Sequence, residues 1–529
     1  MRSLRSALRH VAAPAFAALA LALTACGGSA PATGGGAAPA ADPNAPVKPK
    51  VDRLVVFLNP PPGEFNDIRK ICCFDIMALR PMYESLVGID RNTGQYTPKL
   101  AESWNLEPDG KGYRFKLRKN VQFNRGYGEF TAKDVDYTWH QLTDDLAKTP
   151  PNTFAPWWKT TVQKIDIVND YEVVFRISPD SSFMDGISES SDQLVIRSKA
   201  QADKEPQEVV SDNPTKPVVG TGAYDFKERQ QGSFIRHERR PDKHWRVTPD
   251  FPELELRWSK EGSVRLAALL AGEAHITTLS DDLMPAAERA GMKIMAGKVV
   301  GTRTWGNWVC CARTDDGKYY RDNSSPLLNV KVRQALNKAI DRDGLQKAFF
   351  KKGERMYINH MHQTWPGWDA KWEKEWSDLY GYDPEAAKKL LTEAGYGPNN
   401  PLETNVAIRP STVFKWTNHM YIDGSSTTQV FAWPNRNSDL FNFPRQGSAY
   451  YFDADTNALN QKLRDELDPA KQGPIMRELG DLMYHRFGSI PLFFVPVEAV
   501  VNPQFVADYT FPGPLYGAWT HFEYVKAAR

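Results

Sequence analysis

The stretch VKVRQALNKAID at residues 330–341 places apolar side chains three and four residues apart, with polar residues between them. This spacing predicts a helix that buries one stripe of its surface against a core. A second helix is predicted at residues 383–391, DPEAAKKLL. Asp383 can cap its free amides, Pro384 suits the first helical position, and Gly395 follows the last turn. Both segments therefore predict packed helices.

Strand-like runs alternate with these helices along the chain. Residues 53–58, RLVVFL, form an apolar run that ends before an Asn-Pro-Pro-Pro-Gly stretch. Residues 113–118, YRFKLR, alternate apolar and basic side chains, as a half-buried strand does. The chain has 529 residues, enough for roughly two to four domains. The mixture of elements predicts an α/β protein with several lobes.

Composition and motifs exclude several classes of function. The formal net charge is only +2, from 66 basic and 64 acidic side chains, whereas a nucleic-acid binder is expected to carry a basic excess. The sequence contains no Gly-x-Ser-x-Gly elbow, no His-Glu-x-x-His motif and no P-loop. His237 and Glu238 fail as a zinc motif because Pro241 stands where the second His is needed. We therefore expect neither an enzyme nor a cofactor.

The N-terminus has the pattern of an export signal. Three Arg residues precede an apolar run at residues 11–25, which is shorter than the roughly 18–20 residues that span a bilayer. The run ends Leu-Thr-Ala-Cys at Cys26, which resembles a bacterial lipobox. This resemblance implies that residues 1–25 are a lipoprotein signal peptide, and that Cys26 receives a diacylglyceryl group after cleavage.

Residues 26–50 are expected to form a flexible tether behind that lipid. They are mostly Gly, Ala and Pro and contain no aromatic residue, so they cannot bury enough apolar surface to fold. The mature protein is thus predicted to be anchored by lipid in the periplasm or at the outer face of the cell membrane. The choice between inner and outer membrane stays open.

Nine short segments in the rest of the chain carry a family resemblance. In order, they are MYESLV (82–87), PKLAESW (98–104), YRFKLRKNVQF (113–123), TAKDV (131–135), VGTGAY (219–224), AGE (271–273), VRQALNKAID (332–341), YDPEAAKKLL (382–391) and IPLF (490–493). Each segment alone is a weak signal. Together, behind a lipobox, they resemble the family 5 extracellular solute-binding proteins of bacterial ABC transporters, which include oligopeptide, dipeptide and nickel binders.

The resemblance implies a periplasmic-binding-protein type II-like fold, with two lobes and three domains around a ligand cleft. Such a protein works as a hinged clamp, because the ligand shifts an open–closed equilibrium toward the closed form. The mapping assigns residues 51–90, 214–298 and 488–529 to domain I, 91–213 to domain II and 299–487 to domain III. Domain III is expected to be abbreviated. In one part of it the family has a strand, a helix and a second strand that ends in a ligand segment. Here the segment 431–439 follows the first of these strands, at residues 405–409, too soon to leave room for the helix and the second strand.

Ligand-binding residues can be assigned only from that resemblance. An Asp can hold a peptide's ammonium group and an Arg its carboxylate, through charge-assisted hydrogen bonds. The candidates are Trp305, Trp308, Arg409, Trp433 and Asp439. For the two charged residues the alternative is an ordinary surface role, and for Trp305 and Trp308 it is core packing.

The cysteines after Cys26 form two adjacent pairs, Cys72-Cys73 and Cys310-Cys311. In an exported protein, an even number of Cys residues favours disulfides. One cross-link could join domain I to domain III, vicinal bridges are a second arrangement, and a soft-metal or thiol-reactive site is a third. The His360-Met361-His362 stretch is a weak metal pattern, so no metal site is predicted.

The function that follows is capture of an oligopeptide or dipeptide between the lobes, and its delivery to a membrane permease driven by an ATPase. The expected partners are the peptide, this permease and ATPase complex, and the membrane through the lipid anchor. A monomer is expected. A binder of nickel chelate, haem or sugar is the alternative on the same fold. An exported hydrolase and a structural envelope lipoprotein are alternatives of another class.

Overall fold

The computed structural model describes most of the chain from residue 46 onward. The described residues are 46–61, 73–143, 155–189, 194–205, 219–298, 302–307, 311–313, 319–321, 325–349, 355–356, 367–403, 421–422, 454–495, 497–512 and 519–529. Over these ranges, no helix combines the length and apolar character needed to cross a membrane.

Short strands alternate with helices throughout the described residues, as the sequence predicts. In chain order the strands are β1 (Arg53–Leu58), β2 (Val87–Ile89), β3 (Tyr96–Pro98), β4 (Ala101–Leu106), β5 (Gly112–Leu117), β6 (Val162–Asn169), β7 (Glu172–Ile177), β8 (Tyr224–Gln230), β9 (Phe234–Arg239), β10 (Glu253–Trp258), β11 (Ile276–Thr277), β12 (Lys293–Ala296), β13 (Thr302–Asn307), β14 (Cys311–Arg313), β15 (Tyr319–Arg321), β16 (Arg355–Met356), β17 (Tyr421–Ile422), β18 (Ser489–Val495), β19 (Glu498–Val501), β20 (Val506–Asp508) and β21 (Lys526–Ala527).

The two helices predicted from the sequence at residues 330–341 and 383–391 are both present. In chain order the helices are α1 (Ala132–Thr143), α2 (Ala155–Thr161), α3 (Phe183–Ile187), α4 (Lys199–Lys204), α5 (Gly262–Leu270), α6 (Met284–Arg289), α7 (Val330–Lys338), α8 (Arg342–Phe349), α9 (Lys371–Tyr380), α10 (Pro384–Glu393), α11 (Ala454–Asp465) and α12 (Pro469–His485). The predicted cap of α10 is confirmed, since Asp383 accepts a hydrogen bond from the Ala386 N–H at 2.9 Å. Gly395 has a φ of +92°, which favours glycine after the helix end.

The first core surrounds a sheet of seven described strands, in the order β12-β19-β11-β1-β10-β9-β8. The predicted strand β1 lies in its middle and pairs in parallel with β10 and β11. Its run of apolar residues is buried on both faces, because alternate side chains enter different apolar clusters. The other strands come from distant parts of the chain, so this sheet forms only through tertiary contacts.

The second core surrounds four antiparallel strands in the order β4-β5-β7-β6. The alternation predicted for β5 is confirmed: Tyr113, Phe115 and Leu117 are buried. Phe115 packs edge-on against Phe175 of β7, with ring centroids 5.5 Å apart. Helix α1 adds Val135 and Leu142 to the same apolar cluster. This core draws nearly all of its side chains from residues 86–219.

The third core is mainly helical, with a small sheet in the order β16-β18-β13-β17. Trp372 of α9 is fully buried and donates its indole N–H to Asp481 at 2.7 Å. The Tyr484 hydroxyl donates to the Trp372 carbonyl at 2.6 Å. These bonds satisfy the polar ends of large aromatic side chains and fix α9 against α12.

The chain crosses between the first and third sheets in two places, from β12 to β13 and from β18 to β19. Strand β18 pairs with β13 and β16, and Ile490 and Phe493 belong to the third core. The sequence shows that residues 489–495 are apolar, but the sheet that they join depends on tertiary pairing. The domain boundaries, including the one at residue 488, stay predictions.

Candidate functional site

The residues predicted to contact a ligand fall mostly outside the described residues. Trp305 lies on β13, where its backbone is in register with Pro491 of β18, next to an irregularity in the pairing. Outside the described residues lie Trp308, Arg409, Trp433, Asp439 and the His360-Met361-His362 stretch. The two-residue strand β17 occurs between residues 405–409 and 431–439, and pairs with β13. The roles of these candidates, and the shortening of domain III, stay predictions.

Most of the cysteines also lie outside the described residues. Cys73 begins the 3₁₀ turn Cys73–Ala78, and Cys311 is the first residue of β14, where its backbone pairs with Arg321. Outside the described residues lie Cys26, Cys72 and Cys310. Lipidation and disulfide connectivity therefore stay predictions. In the part of the chain that the structure describes, no group of three or more His, Cys, Asp or Glu side chains could hold a metal ion.

A buried ionic network lies where the first and second cores meet. Glu84 is at its centre, between Tyr83 of the first apolar cluster and Leu86 of the second. Its carboxylate accepts hydrogen bonds from the Thr221 hydroxyl at 2.9 Å, the Trp245 indole at 3.1 Å and the Arg246 guanidinium at 3.1 Å. Burial by itself raises the pKa of Glu84, but His244 and Arg246 together hold that pKa well below its usual range. Glu84 is therefore a buried carboxylate that stays charged.

The network continues through Arg246 to the C-terminal segment. Arg246 donates to Glu523 at 3.0 Å and to the hydroxyl of Tyr524. Burial raises the pKa of Glu523, but Arg246, His521 and Lys99 together leave that pKa below its ordinary value. Arg246 thus neutralises carboxylates from two distant parts of the chain, as a bidentate guanidinium can.

A second buried pair, Lys99 and Glu189, completes the network. The Lys99 ammonium donates to one oxygen of Glu189, and the Ile89 N–H donates to the other at 2.9 Å. Burial opposes the charge of Glu189, but Lys99 and then His521 lower its pKa to about 2. Burial also lowers the pKa of His521 below its ordinary value.

A polar pocket of about 220 Å³ opens above this network. Its lining includes Lys99, Glu189, Arg246, His521 and Tyr524. The Arg91 guanidinium lies 4.0 Å from the centre of the Tyr524 ring and forms part of the same wall. Because Lys99, Glu189 and Arg246 already have partners of opposite charge, the arrangement serves best to hold the first and second cores together.

The network contains residues to which the sequence analysis assigns no role. Glu84, Lys99 and Thr221 lie inside the segments MYESLV, PKLAESW and VGTGAY, which served only to establish the resemblance. The sequence signal that could have indicated such a role was a charged residue, such as Glu84, within a largely apolar segment. The partners Arg246 and Glu523 lie in segments without such a pattern, and only the fold brings them to Glu84.

Comparison with known proteins agrees with this architecture. A model of the family described as bacterial extracellular solute-binding proteins, family 5 Middle, matches residues 95–432. The chain is 24% identical over 398 residues to di/tripeptide-binding protein 2 of Pseudomonas aeruginosa, which covers 69% of this chain and 68% of that protein. It is 25% identical over 417 residues to heme-binding protein A of Haemophilus influenzae, covering 70% and 72%.

The fold also matches that of a solved structure. The periplasmic binding protein DppA of Helicobacter pylori, solved in complex with the peptide STSA, superposes with a TM-score of 0.65. The match covers 90% of this chain and 98% of that one, at 19% identity. The predicted α/β fold of the periplasmic-binding-protein type is confirmed. Since the family model spans more than half of the chain, this protein belongs to the family 5 bacterial extracellular solute-binding proteins.

Proposed function

We propose that this protein is the substrate-binding lipoprotein of an ABC importer, that it captures an oligopeptide or dipeptide between two lobes, and that it delivers the peptide to a membrane permease. The observation that carries the proposal is the family match over residues 95–432, together with the alignment to a di/tripeptide-binding protein. The separate apolar cores support it physically, because each can move as a rigid unit.

In this mechanism, the first and second cores form one lobe, since the Glu84–Arg246 network joins them. The third core forms the other lobe, connected by the two crossovers. A peptide that contacts both lobes stabilises the closed form by its differential affinity for the two states. Asp439 would pair with the ammonium group, Arg409 with the carboxylate, and Trp305, Trp308 and Trp433 would line the cleft.

A thermal-shift assay on the purified chain tests the substrate class. A ligand that binds only the folded protein raises stability in proportion to RT ln(1 + [L]/Kd). We expect equimolar pools of dipeptides and of longer peptides to raise Tm, and the bound peptide to be recovered intact by mass spectrometry. Recovery of cleaved peptide would instead indicate a hydrolase.

The heme-binding relative makes haem the main alternative ligand. Hemin, a nickel–histidine chelate and a panel of sugars therefore serve as parallel ligands in the same assay. A shift with one of them and none with peptides would overturn the peptide assignment while leaving the family unchanged. No shift with any of them would overturn both ligand proposals.

Two variants test the proposed ligand-binding residues. Asp439→Asn and Arg409→Gln are expected to weaken peptide binding at least tenfold, because each removes a charge-assisted hydrogen bond worth about 1.5–3 kcal/mol. Asp282→Asn is a matched control, since Asp282 is exposed beside the first core. Equal affinities for the three variants in calorimetric titration would remove Asp439 and Arg409 from the site.

The lipid anchor is tested through Cys26. In cells, the unaltered chain is expected in the membrane fraction, with an N-terminal peptide whose mass includes the diacylglyceryl group. Cys26→Ser is expected to lack that mass and to leave the membrane fraction. Co-purification of the anchored chain with a permease and ATPase complex, and a monomeric mass in light scattering, would support the proposed partners.

A further inference from the structure

A second junction, between the second and third cores, is built from neutral hydrogen bonds. The Tyr113 hydroxyl of β5 donates to the Leu467 carbonyl at 3.0 Å. The Ser181 hydroxyl donates to the Leu463 carbonyl at 3.0 Å, and the Ser181 N–H donates to the Arg464 carbonyl at 2.9 Å. Three main-chain carbonyls at the end of α11 and just beyond it are thus bonded by the second core.

Apolar packing follows the same route. The side chain of Leu463 belongs to the third core, whereas that of Leu467, one turn further on, belongs to the second. Both are nearly or fully buried, at 0% and 4% exposure. The stretch 463–467 therefore has one end in each core, which makes it a physical bridge between them.

One buried residue of α11 has no hydrogen-bond partner for its side-chain amide. Asn460 precedes Leu463 by three residues and is 0% exposed, and neither atom of its side-chain amide has a hydrogen-bond partner. An unpaired buried amide is costly, and such groups are rare in native interiors. The observed arrangement of α11 therefore leaves one polar group that would gain a partner if water reached it.

We propose that Tyr113, Ser181 and the stretch 463–467 form a latch between the two lobes, which closes when the lobes close and opens when they part. The proposal rests on the proposed function, in which the second and third cores belong to different lobes. The observed contacts are those of the latched form. Opening replaces the three hydrogen bonds with bonds to water and exposes Leu467, while Asn460 becomes hydrated.

The chemistry of the latch makes it reversible. Neutral hydrogen bonds contribute little net free energy, because water can replace them. Among the described residues, Arg464 and Asp180 also form an ion pair there; it spans 3.7 Å, and the Arg464 side chain is 38% exposed although that of Asp180 is only 8% exposed, so solvent screens the pair on the Arg464 side. The latch thus holds the closed lobes weakly enough for a ligand to leave.

Single-molecule energy transfer between the lobes tests the latch without any ligand. Fluorophores are attached through unnatural amino acids at Val168 and Lys389, exposed positions beside the second and third cores. The variant Tyr113→Phe/Ser181→Ala removes two of the three hydrogen bonds and leaves the apolar contacts in place. We expect the ratio of latched to open molecules to fall roughly tenfold.

The matched control is Tyr171→Phe. The Tyr171 hydroxyl donates to Glu129, so this variant loses a tyrosine hydrogen bond of similar length within residues 91–213. We expect its distance distribution to match that of the unaltered protein. A distribution for the double variant that also matches, with only a lower Tm, would overturn the latch and make the contact a permanent part of the fold.

Asn460→Leu tests the latch in the opposite direction. An apolar side chain of similar size removes the unpaired amide, so the latched population is expected to rise several-fold. An unchanged or lower latched population would contradict the role given to Asn460. Titration of all four proteins with the dipeptide pool keeps the two proposals separate. Changed distances without peptide binding would support the latch and reject the substrate, and peptide binding with unchanged distances would do the reverse.

Discussion

The two junctions of the second core differ in chemistry. The boundary with the first core contains buried charges, in which Lys99 pairs with Glu189 and Glu84 pairs with Arg246. Toward the third core, the second core presents a tyrosine and a serine to main-chain carbonyls. Opening the first junction would move Lys99 and Glu189 away from Arg246 and His521, whose charges interact with theirs in a low dielectric, whereas opening the second exchanges neutral bonds for water.

In the proposed mechanism, this difference lets one chain combine a rigid lobe with a movable one. A buried ion pair tolerates little change in geometry, because each charge needs its partner at close range. Hydrogen bonds to carbonyls at the end of a helix can be broken and reformed at small net cost. The predictions below test this comparison in order of decreasing expected effect.

Arg246→Met should cause the largest loss of stability. The variant leaves Glu84 and Glu523 without their cation, and breaking a buried pair in this way costs about 3–5 kcal/mol. Chemical denaturation of the purified chain measures the change. Lys388→Met is the control, because its partner Glu385 is exposed and screened by solvent, and it should leave the midpoint unchanged. Equal midpoints for the two variants would refute the importance of the network.

Leu467→Ala should have an intermediate effect. The change removes a buried side chain from the second core, and a loss of about 2–3 kcal/mol is expected from burial and cavity terms. Leu270→Ala is the matched control, since Leu270 is 44% exposed and should change stability little. If Leu467→Ala is as mild as its control, Leu467 contributes nothing to the junction.

Acid should weaken the ionic junction through Glu189. Its pKa is about 2 in the folded protein against an ordinary value of 4.5, so the unfolded chain binds more protons between these values. The stabilising contribution is complete above about pH 5 and is lost as the pH falls toward 2. The stability gap between Glu189→Gln and the unaltered chain should therefore be smaller at pH 3 than at pH 6. A gap independent of pH would contradict the assigned pKa.

Arg464→Ala should have the smallest effect. The pair with Asp180 spans 3.7 Å and the Arg464 side chain is 38% exposed, so the variant is expected to change stability by at most about 0.5 kcal/mol. Raising the salt concentration should leave the interlobe distances in the energy-transfer assay unchanged. A strong dependence of those distances on salt would show that the latch is electrostatic after all.

Local patterns predicted several elements correctly. The RLVVFL run became β1, the alternation in YRFKLR became β5, and Asp383 caps α10, because each depends on neighbours within a few residues. The family could also be identified from short collinear segments. The pairing of β18 with β13 could not be predicted in this way, because an apolar strand does not itself specify which sheet it joins.

For the candidate site, too, only part of the description could be predicted from the sequence. The sequence supplied the residue types suited to a peptide's charged ends, but Trp308, Arg409, Trp433 and Asp439 lie outside the described residues and their roles remain predictions. Neither junction could be foreseen. Tyr113 and Leu467 are 354 residues apart, and no periodicity links them.

By itself, the sequence determined the class of the protein, the positions of its best helices and strands, and its family, since these follow from short-range spacing and local composition. Only the tertiary structure decided which charges meet in the interior and which carbonyls the second core bonds. The physical reason is that burial and pairing depend on distances in space, and a folded chain sets those distances by packing residues that are remote in sequence.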